Sequence, residues 1–302
     1  MTSNANNRCI PSICFMCAHT GASQRAGGSR AHWIRHQAAK ELHYSQSSVS
    51  HHLARLEAAT GAKPIQRVGR GIRLTPEGQL LANRAAEIVG RVESASNELA
   101  AQLGLRAGRV RLAGFQSALS TIVPKAAAAL AREDPGVELS LVDVHPVDAL
   151  RLLRQGEVDV ALIFRYADTP VEAEGFRLAH VADDPMYLVT QRPGAGITDY
   201  RESAWIGGCE RCRAELISVC ELSGFTPRIA FVSDDMVVMQ ALVAAGMGVT
   251  ILPGLALRAH RSPDVHTTEL PGSPRHIFAV TYGDPPDPPA TTALIRTIRA
   301  SV

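Results

Sequence analysis

The stretch Ser45 to Glu57, reading Ser-Gln-Ser-Ser-Val-Ser-His-His-Leu-Ala-Arg-Leu-Glu, constrains this chain more than any other. Ser45 is a good N-cap, because its hydroxyl can accept from the free amides of a first helical turn, and Gln46, Ser47 and Ser48 then open a helix. Val49, Leu53 and Leu56 recur at i, i+4 and i+7, a stripe that faces a small core. The opposite face carries Ser47, Ser50, His51 and Ala54, with Gln46 at its start. These side chains are short or hydrogen-bonding, and such a face can approach base edges closely. Upstream, Ala38 to Leu42 predicts a short helix whose small Ala39 lets a second helix cross tightly, and His43-Tyr44-Ser45 is the turn between them. The pattern suits a helix-turn-helix with its second helix ready for a major groove, and equally an ordinary pair of packed helices.

The next segment separates these readings. Gly61 ends the helix, and Gly69 and Gly71 permit a tight two-stranded turn among Arg67, Arg70 and Arg73, a basic wing suited to phosphates. Ala38-Ala39 to Leu42, Ser45-Gln46 to Ser50, Leu56-Glu57, Gly61, Arg67, Arg73-Leu74-Thr75 and Gly78 together resemble the DNA-binding region of LysR-type transcriptional regulators. The resemblance implies that Gln46, Ser47, Ser50 and His51 read bases, and that Arg55, Arg67, Arg70 and Arg73 hold phosphates of double-stranded DNA. It extends from about Ala38 to near the C-terminus.

Charge agrees with a polyanionic partner. Residues 1–75 hold ten Lys and Arg against Glu41 and Glu57, a net +8, which leaves −6 for the rest of a chain whose total is +2. A length of 302 residues with 46% hydrophobic content suits about two domains with buried cores. No apolar run reaches the ~18 residues of a membrane span, so a soluble protein is expected, and a DNA-binding one is expected in the cytoplasm.

Residues 1–37 depart from the family pattern. They contain no acid and no apolar helical period, where the resemblance implies an amphipathic first helix. Ile10 to Ala18 is similar to a short secretory apolar region, and the Arg- and Ser-rich composition to a transit peptide; neither suits a DNA-binding neighbour. The expectation is a replaced or mistranslated N-terminus that damages the first helix and weakens DNA binding. Six cysteines include the pairs Cys14/Cys17 and Cys209/Cys212. A four-thiolate zinc site is disfavoured, because the pairs lie in unrelated segments. A redox switch among Cys209, Cys212 and Cys220 is the stronger alternative, although Cys212 and Cys220, eight apart on a helix, lie too far apart to bridge. Reduced thiols are the favoured reading.

From Pro76, a residue suited to a first helical position, Leu81, Ala85, Ile88, Val92, Ala95, Leu99 and Leu103 alternate at spacings of four and three. That seam has the ~3.5-residue period of a coiled coil and predicts a linker helix over 76–107 that pairs two copies into a homodimer, with a tetramer as the next assembly. Beyond residue 108, strands at 109–115, 137–143 and 158–164 alternate with helices, which indicates a parallel sheet with crossover helices. A second lobe is expected over 166–267, and residues 268–302 return to the first through a strand at 277–282. The expected fold is therefore α/β: an N-terminal winged helix-turn-helix (38–75), a long linker helix, and a two-lobed effector domain resembling periplasmic binding proteins (108–302).

Ligands of open α/β sheets sit beyond the carboxyl ends of strands. Gln116, Ser117, Arg165, Gly207 and Ser233 occupy such positions and are the expected effector contacts, although for Ser233 helix capping is the stronger reading. Asp183-Asp184 reads as a loop. No cofactor, metal site or catalytic group is expected: phosphate-cradling loops and zinc-hydrolase patterns are absent. The leading reading is a regulator modulated by a small-molecule effector, and the alternative is a small-molecule binding protein or enzyme with a vestigial DNA-binding region.

Overall fold

The computed structural model describes residues 45–68, 71–102, 108–167, 169, 175–194, 196–272 and 274–302. The chain divides into two compact units, Met1–Leu105 with Arg154–Glu157, and Arg106–Leu153 with Val158–Val302. Residues 1–44, including the expected short helix at 38–42, lie outside the described residues.

In the first unit, α1 (Gln46–Thr60) begins where Ser45 Oγ accepts from the Ser48 amide at 3.1 Å. It ends at Gly61, whose φ of 67° lets its amide return to the Glu57 carbonyl. Leu53 and Leu56 are buried, while Ser47, Ser50, His51, Ala54 and Arg55 are exposed. The wing is β1 (Ile65–Val68) paired antiparallel to β2 (Gly71–Leu74). Ile65 and Leu74 rest on Leu53, Leu56 and Ala82, so the wing and the helix share one small core. Thr75 joins that core to α2 (Pro76–Gln102): its hydroxyl donates to the Lys63 carbonyl at 2.7 Å and accepts from the Gly78 amide at 3.0 Å. Along α2 the seam changes partner. Ala82, Ala85 and Ala86 are buried in the unit, whereas Ile88, Val92 and Leu99 are 56%, 62% and 60% exposed. Leu103 lies outside the described residues.

The second unit has two lobes. In the first, β3 (Arg109–Gly114), β4 (Glu138–Asp143) and β5 (Val160–Arg165) are parallel, and β12 (Arg275–Tyr282) joins β5 antiparallel, with β6 (Phe176–Asp184) antiparallel beyond it. Alternate residues of β3 and β5 face two layers. The short α3 (Gln116–Leu119) follows β3; Leu112, Leu162 and Phe164 meet α4 (Ile122–Glu133) and α9 (Pro289–Ala300), while Ala113, Ala161 and Ile163 meet α5 (Pro146–Arg154). In the second lobe, β7 (Met186–Thr190) lies between β10 (Thr250–Pro253) and β11 (His266–Glu269), and β8 (Ala204–Gly207) pairs parallel with β9 (Arg228–Val232). Helices α6 (Glu210–Leu222) and α7 (Met236–Ala244) follow β8 and β9.

Four details differ from the sequence reading. The first-lobe sheet is mixed, because β12 enters it from the second lobe and must run against β5. Residues 176–184, expected in the second lobe, are an edge strand of the first; their pattern hides this, since only Ala182 and Asp184 are buried. The crossings accordingly fall at Pro185 and between β11 and β12, not at Arg165 and Thr267. Asp183-Asp184 closes a strand and is not a loop.

A Cβ added to Gly78 would stand 1.8 Å from the Pro64 carbonyl oxygen, a backbone atom. Gly78→Ala should therefore destabilise the first unit by about 1–3 kcal/mol through overpacking. This outweighs the ~1 kcal/mol that alanine gains over glycine inside a helix. Denaturant unfolding of the full chain checks the sign, and a stabilised variant would contradict this packing.

Candidate functional site

A cleft of about 390 Å³ opens in the second unit, and the carboxyl ends of six strands contribute to its walls. Phe115, Gln116 and Ser117 follow β3, Asp143 ends β4 with Val144 and His145 after it, and Phe164 and Tyr166 stand at the end of β5. Gly208 and Cys209 follow β8, Asp234 and Asp235 follow β9, and Pro253 ends β10. Parallel strands bring their ends to one edge, and helix starts bring free amides there; such an edge can hold a small molecule.

At the base of the cleft lies Arg275, 2% exposed. Its Nε donates to Asp184 Oδ2 at 2.8 Å and its Nη2 to Ser117 Oγ at 2.7 Å. The rings of Phe115 and Phe164 lie 5.0 and 4.7 Å from the guanidinium carbon, so both its partners and its faces are occupied. The second Asp184 oxygen accepts from the Leu255 amide at 2.8 Å, at the start of α8 (Gly254–Ala259). Across the mouth, His145 Nε2 lies 3.3 Å from Asp234 Oδ2.

Cys209 and Cys212 line the same cleft with their sulfurs 3.1 Å apart. The shared hydrogen bond from Cys212 is the main influence on Cys209 and lowers its pKa to about 6; His145 adds to this. The same bond and burial push Cys212 up, and burial pushes the Tyr166 hydroxyl up, whose oxygen is 3.8 Å from Cys212 Sγ. Cys220, in the interior, is raised by burial to about 12.

Gln116 and Ser117, expected from the sequence, line the cleft. Arg165 does not: its Nη2 donates to the Thr169 carbonyl at 3.2 Å and its guanidinium lies over Phe278. Gly207 and Ser233 stand one residue short of the lining. The Gly207 carbonyl accepts from the Ser233 amide, and Ser233 Oγ accepts from the Asp235 amide at 3.2 Å, while Asp235 Oδ1 caps α7. Sequence reasoning missed Arg275 and Asp184, which are 91 residues apart and carry no shared motif. A charged residue opening the apolar strand 275–282 was the available signal. It also set the thiol pair aside from the cleft, although Cys209 directly follows Gly208.

On the first unit, Ser47, Ser50, His51 and Arg55 share the exposed side of α1, and Arg73 is exposed on the wing opposite Gln66. Gln46 opens α1 and Arg67 sits in β1, while Arg70 lies outside the described residues. Among the described residues one group has metal-like donor spacing: Asp183 Oδ1 accepts from His180 Nε2 and His276 Nδ1, both at 2.7 Å. These two bonds hold the Asp183 carboxyl below its ordinary range.

Two family models match the chain. Residues 36–79 match the bacterial regulatory helix-turn-helix protein of the lysR family, and residues 103–302 match the LysR substrate binding domain. The chain belongs to the LysR family. A probable hydrogen peroxide-inducible genes activator of Mycobacterium avium is 31% identical over 237 residues, covering 74% of each protein. The full-length C199D variant of OxyR from Pseudomonas aeruginosa superposes with a TM-score of 0.68 at 19% identity, covering 97% of this chain and 95% of that one. Full-length CbnR complexed with its target DNA gives 0.64 at 21% identity, covering 97% and 99%. The LysR fold thus spans both units, with a helix-turn-helix region and a two-lobed binding domain.

Asp184→Asn should destabilise the second unit by about 3–5 kcal/mol, because it leaves the Arg275 guanidinium buried without its counter-charge. Adding Arg275→Met should recover part of that loss. Urea unfolding of both single variants and the pair measures the coupling, and additive effects would show that the two side chains act independently.

Proposed function

We propose that this LysR-family protein is a sequence-specific transcriptional regulator, working in the cytoplasm, whose DNA binding is set by a small molecule held in the cleft. The observation that carries the DNA reading is the polar face of α1: Ser47, Ser50 and His51 are exposed on the side away from Leu53 and Leu56, beside an exposed Arg55 and the Arg73 wing. Short donors and acceptors suit base edges, and the flanking guanidiniums suit phosphates. Gln46, Arg67 and Arg70 complete the proposed contact set. That CbnR is solved on its target DNA supports the same use of the fold here.

The cleft is of a size that encloses a metabolite. Its guanidinium, Arg275, is already neutralised by Asp184, while Asp143, Asp234 and Asp235 stand exposed at its edge. This balance suits an effector that donates hydrogen bonds through Gln116, Ser117 and the acids better than a carboxylate. The cleft is assigned to binding rather than turnover. A second copy of the chain covers Ile88, Val92 and Leu99 on α2, which makes the working form a homodimer with two recognition helices.

Footprinting with the purified protein across candidate promoters tests the assignment. Ser50→Leu should abolish selective protection while the circular dichroism spectrum and the dimer stay unchanged. Arg73→Ala should weaken binding to all sequences alike and reduce the salt slope by about 1. Undiminished selectivity in the Ser50 variant would remove α1 from the role of reading helix.

A further inference from the structure

The cysteine pair in the cleft is not accounted for by effector binding or by DNA. Cys209 is the N-cap of α6 and Cys212 stands three residues on, where one helical turn returns the chain to the same side. The Arg213 amide reaches back to the Cys209 carbonyl at 2.8 Å, which fixes that turn. A side chain at Gly208 would crowd the Cys212 Cβ at 3.1 Å, and glycine there keeps the approach open. The two Sγ atoms are 3.1 Å apart, against about 2.05 Å in a disulfide. Small χ rotations close the gap without unwinding the helix. Cys220 lies two turns further along α6, fully buried, and has no such partner in reach among the described residues.

We infer that Cys209 and Cys212 form a dithiol–disulfide couple inside the cleft, oxidised by thiol–disulfide exchange with a low-molecular-weight disulfide. The Cys209 thiolate attacks one sulfur of the reagent; a Cys209 mixed disulfide forms and one thiolate leaves, taking up a proton. The Cys212 sulfur, losing its proton, then attacks Cys209 Sγ. The intramolecular S–S bond forms and the second reagent thiol departs. Two protein thiols and one disulfide become one protein disulfide and two thiols, so the exchange balances without a further oxidant. The division of labour follows from position: Cys209 faces the open cleft, and Cys212 sits behind it against Tyr166. Groups of both lobes surround the pair: Cys212, Tyr166 and Arg275 on the buried side, His145 and Asp234 on the open side. The hydrogen bond from Cys212, helped by its backbone and by His145, outweighs burial and Asp234 and lowers the Cys209 pKa to about 6, so its thiolate predominates above that pH, against an ordinary thiol near 8.5. The couple rests on the two sulfurs and stands apart from the effector assignment.

The test uses the reduced full chain at pH 7, incubated with 2-hydroxyethyl disulfide, alkylated and mapped by mass spectrometry. Trypsin cleaves after Arg211, between the two cysteines, so a Cys209–Cys212 bond is read as two peptides held together by sulfur alone. The expected result is that linkage, lost on adding dithiothreitol, with Cys220 remaining a free thiol. Cys212→Ser should trap the mixed disulfide on Cys209, and Cys209→Ser should give no adduct at Cys212. The iodoacetamide rate at Cys209 should rise through pH 6 and level off by pH 7, where Cys220 reacts at least tenfold more slowly. Two free thiols after incubation, a bond from either residue to Cys220, or a Cys209 rate still climbing at pH 8.5 would each overturn the couple. Unchanged circular dichroism of the serine variants confirms that the readout concerns chemistry and not folding.

Discussion

The pairing of Arg275 with Asp184 is the constraint on which the second unit depends. Both side chains are almost fully buried, at 3% and 1% exposure, and charges taken that far from water are tolerated only when every partner is in place. Here they are. One carboxylate oxygen takes the guanidinium Nε–H and the other takes the Leu255 amide, while Ser117 accepts from Nη2 and two phenyl rings lie against the guanidinium. Asp184 is the last residue of β6 and Arg275 the first of β12, so the ion pair sits where the chain leaves the first lobe and where it returns. The same arrangement determines the cleft. Ser117 is not a free hydroxyl waiting for ligand, since it already accepts from Arg275; any molecule that contacts it bears on the pair beneath.

The two units divide the electrostatic work. The first 75 residues carry +8 and the remainder −6, so a duplex is drawn to one end of the chain and repelled by the other. Within the basic unit the recognition face itself is nearly neutral: serines, a histidine and an alanine. Its cations stand at the margins, on Arg55 and the wing. Phosphate attraction then supplies affinity, and the short neutral face supplies the close approach that discrimination between bases requires.

Much of this was legible in the sequence, because it rests on local rules. The cap at Ser45, the turn at Gly61, the two-strand wing and the helix opening at Pro76 are each set by residues within a few positions of one another, and the structure shows all four. What stayed hidden depends on distant pairing. Strand β6 has few buried residues and gains its identity from β12, about a hundred positions later, so alternation alone does not reveal it. Arg275 and Asp184 looked like unremarkable charges because the partner that makes each one tolerable is remote in sequence. Gln116 and Ser117 were found by asking where a strand ends. That question misses Arg275, which lies at the beginning of a strand running the opposite way.

Helix α2 shows how one apolar period can serve two partners. Its first turns present alanines, whose small side chains let the helix axis lie close against Leu53 and Leu74 in its own unit. Further along, the same seam is built from Ile88, Val92 and Leu99, which are large and more than half exposed. Each such side chain, partly covered already, forgoes about 1–2 kcal/mol for the part that remains in water. A monomer has no use for that spacing, since nothing in the first unit reaches it among the described residues. A second α2 laid along the seam buries all three at once. Because the wing and α1 are anchored to the alanine end of the same helix, pairing the distal ends also holds two reading faces at one fixed separation. The second half-site is then bound intramolecularly, at an effective concentration that no single winged domain can reach.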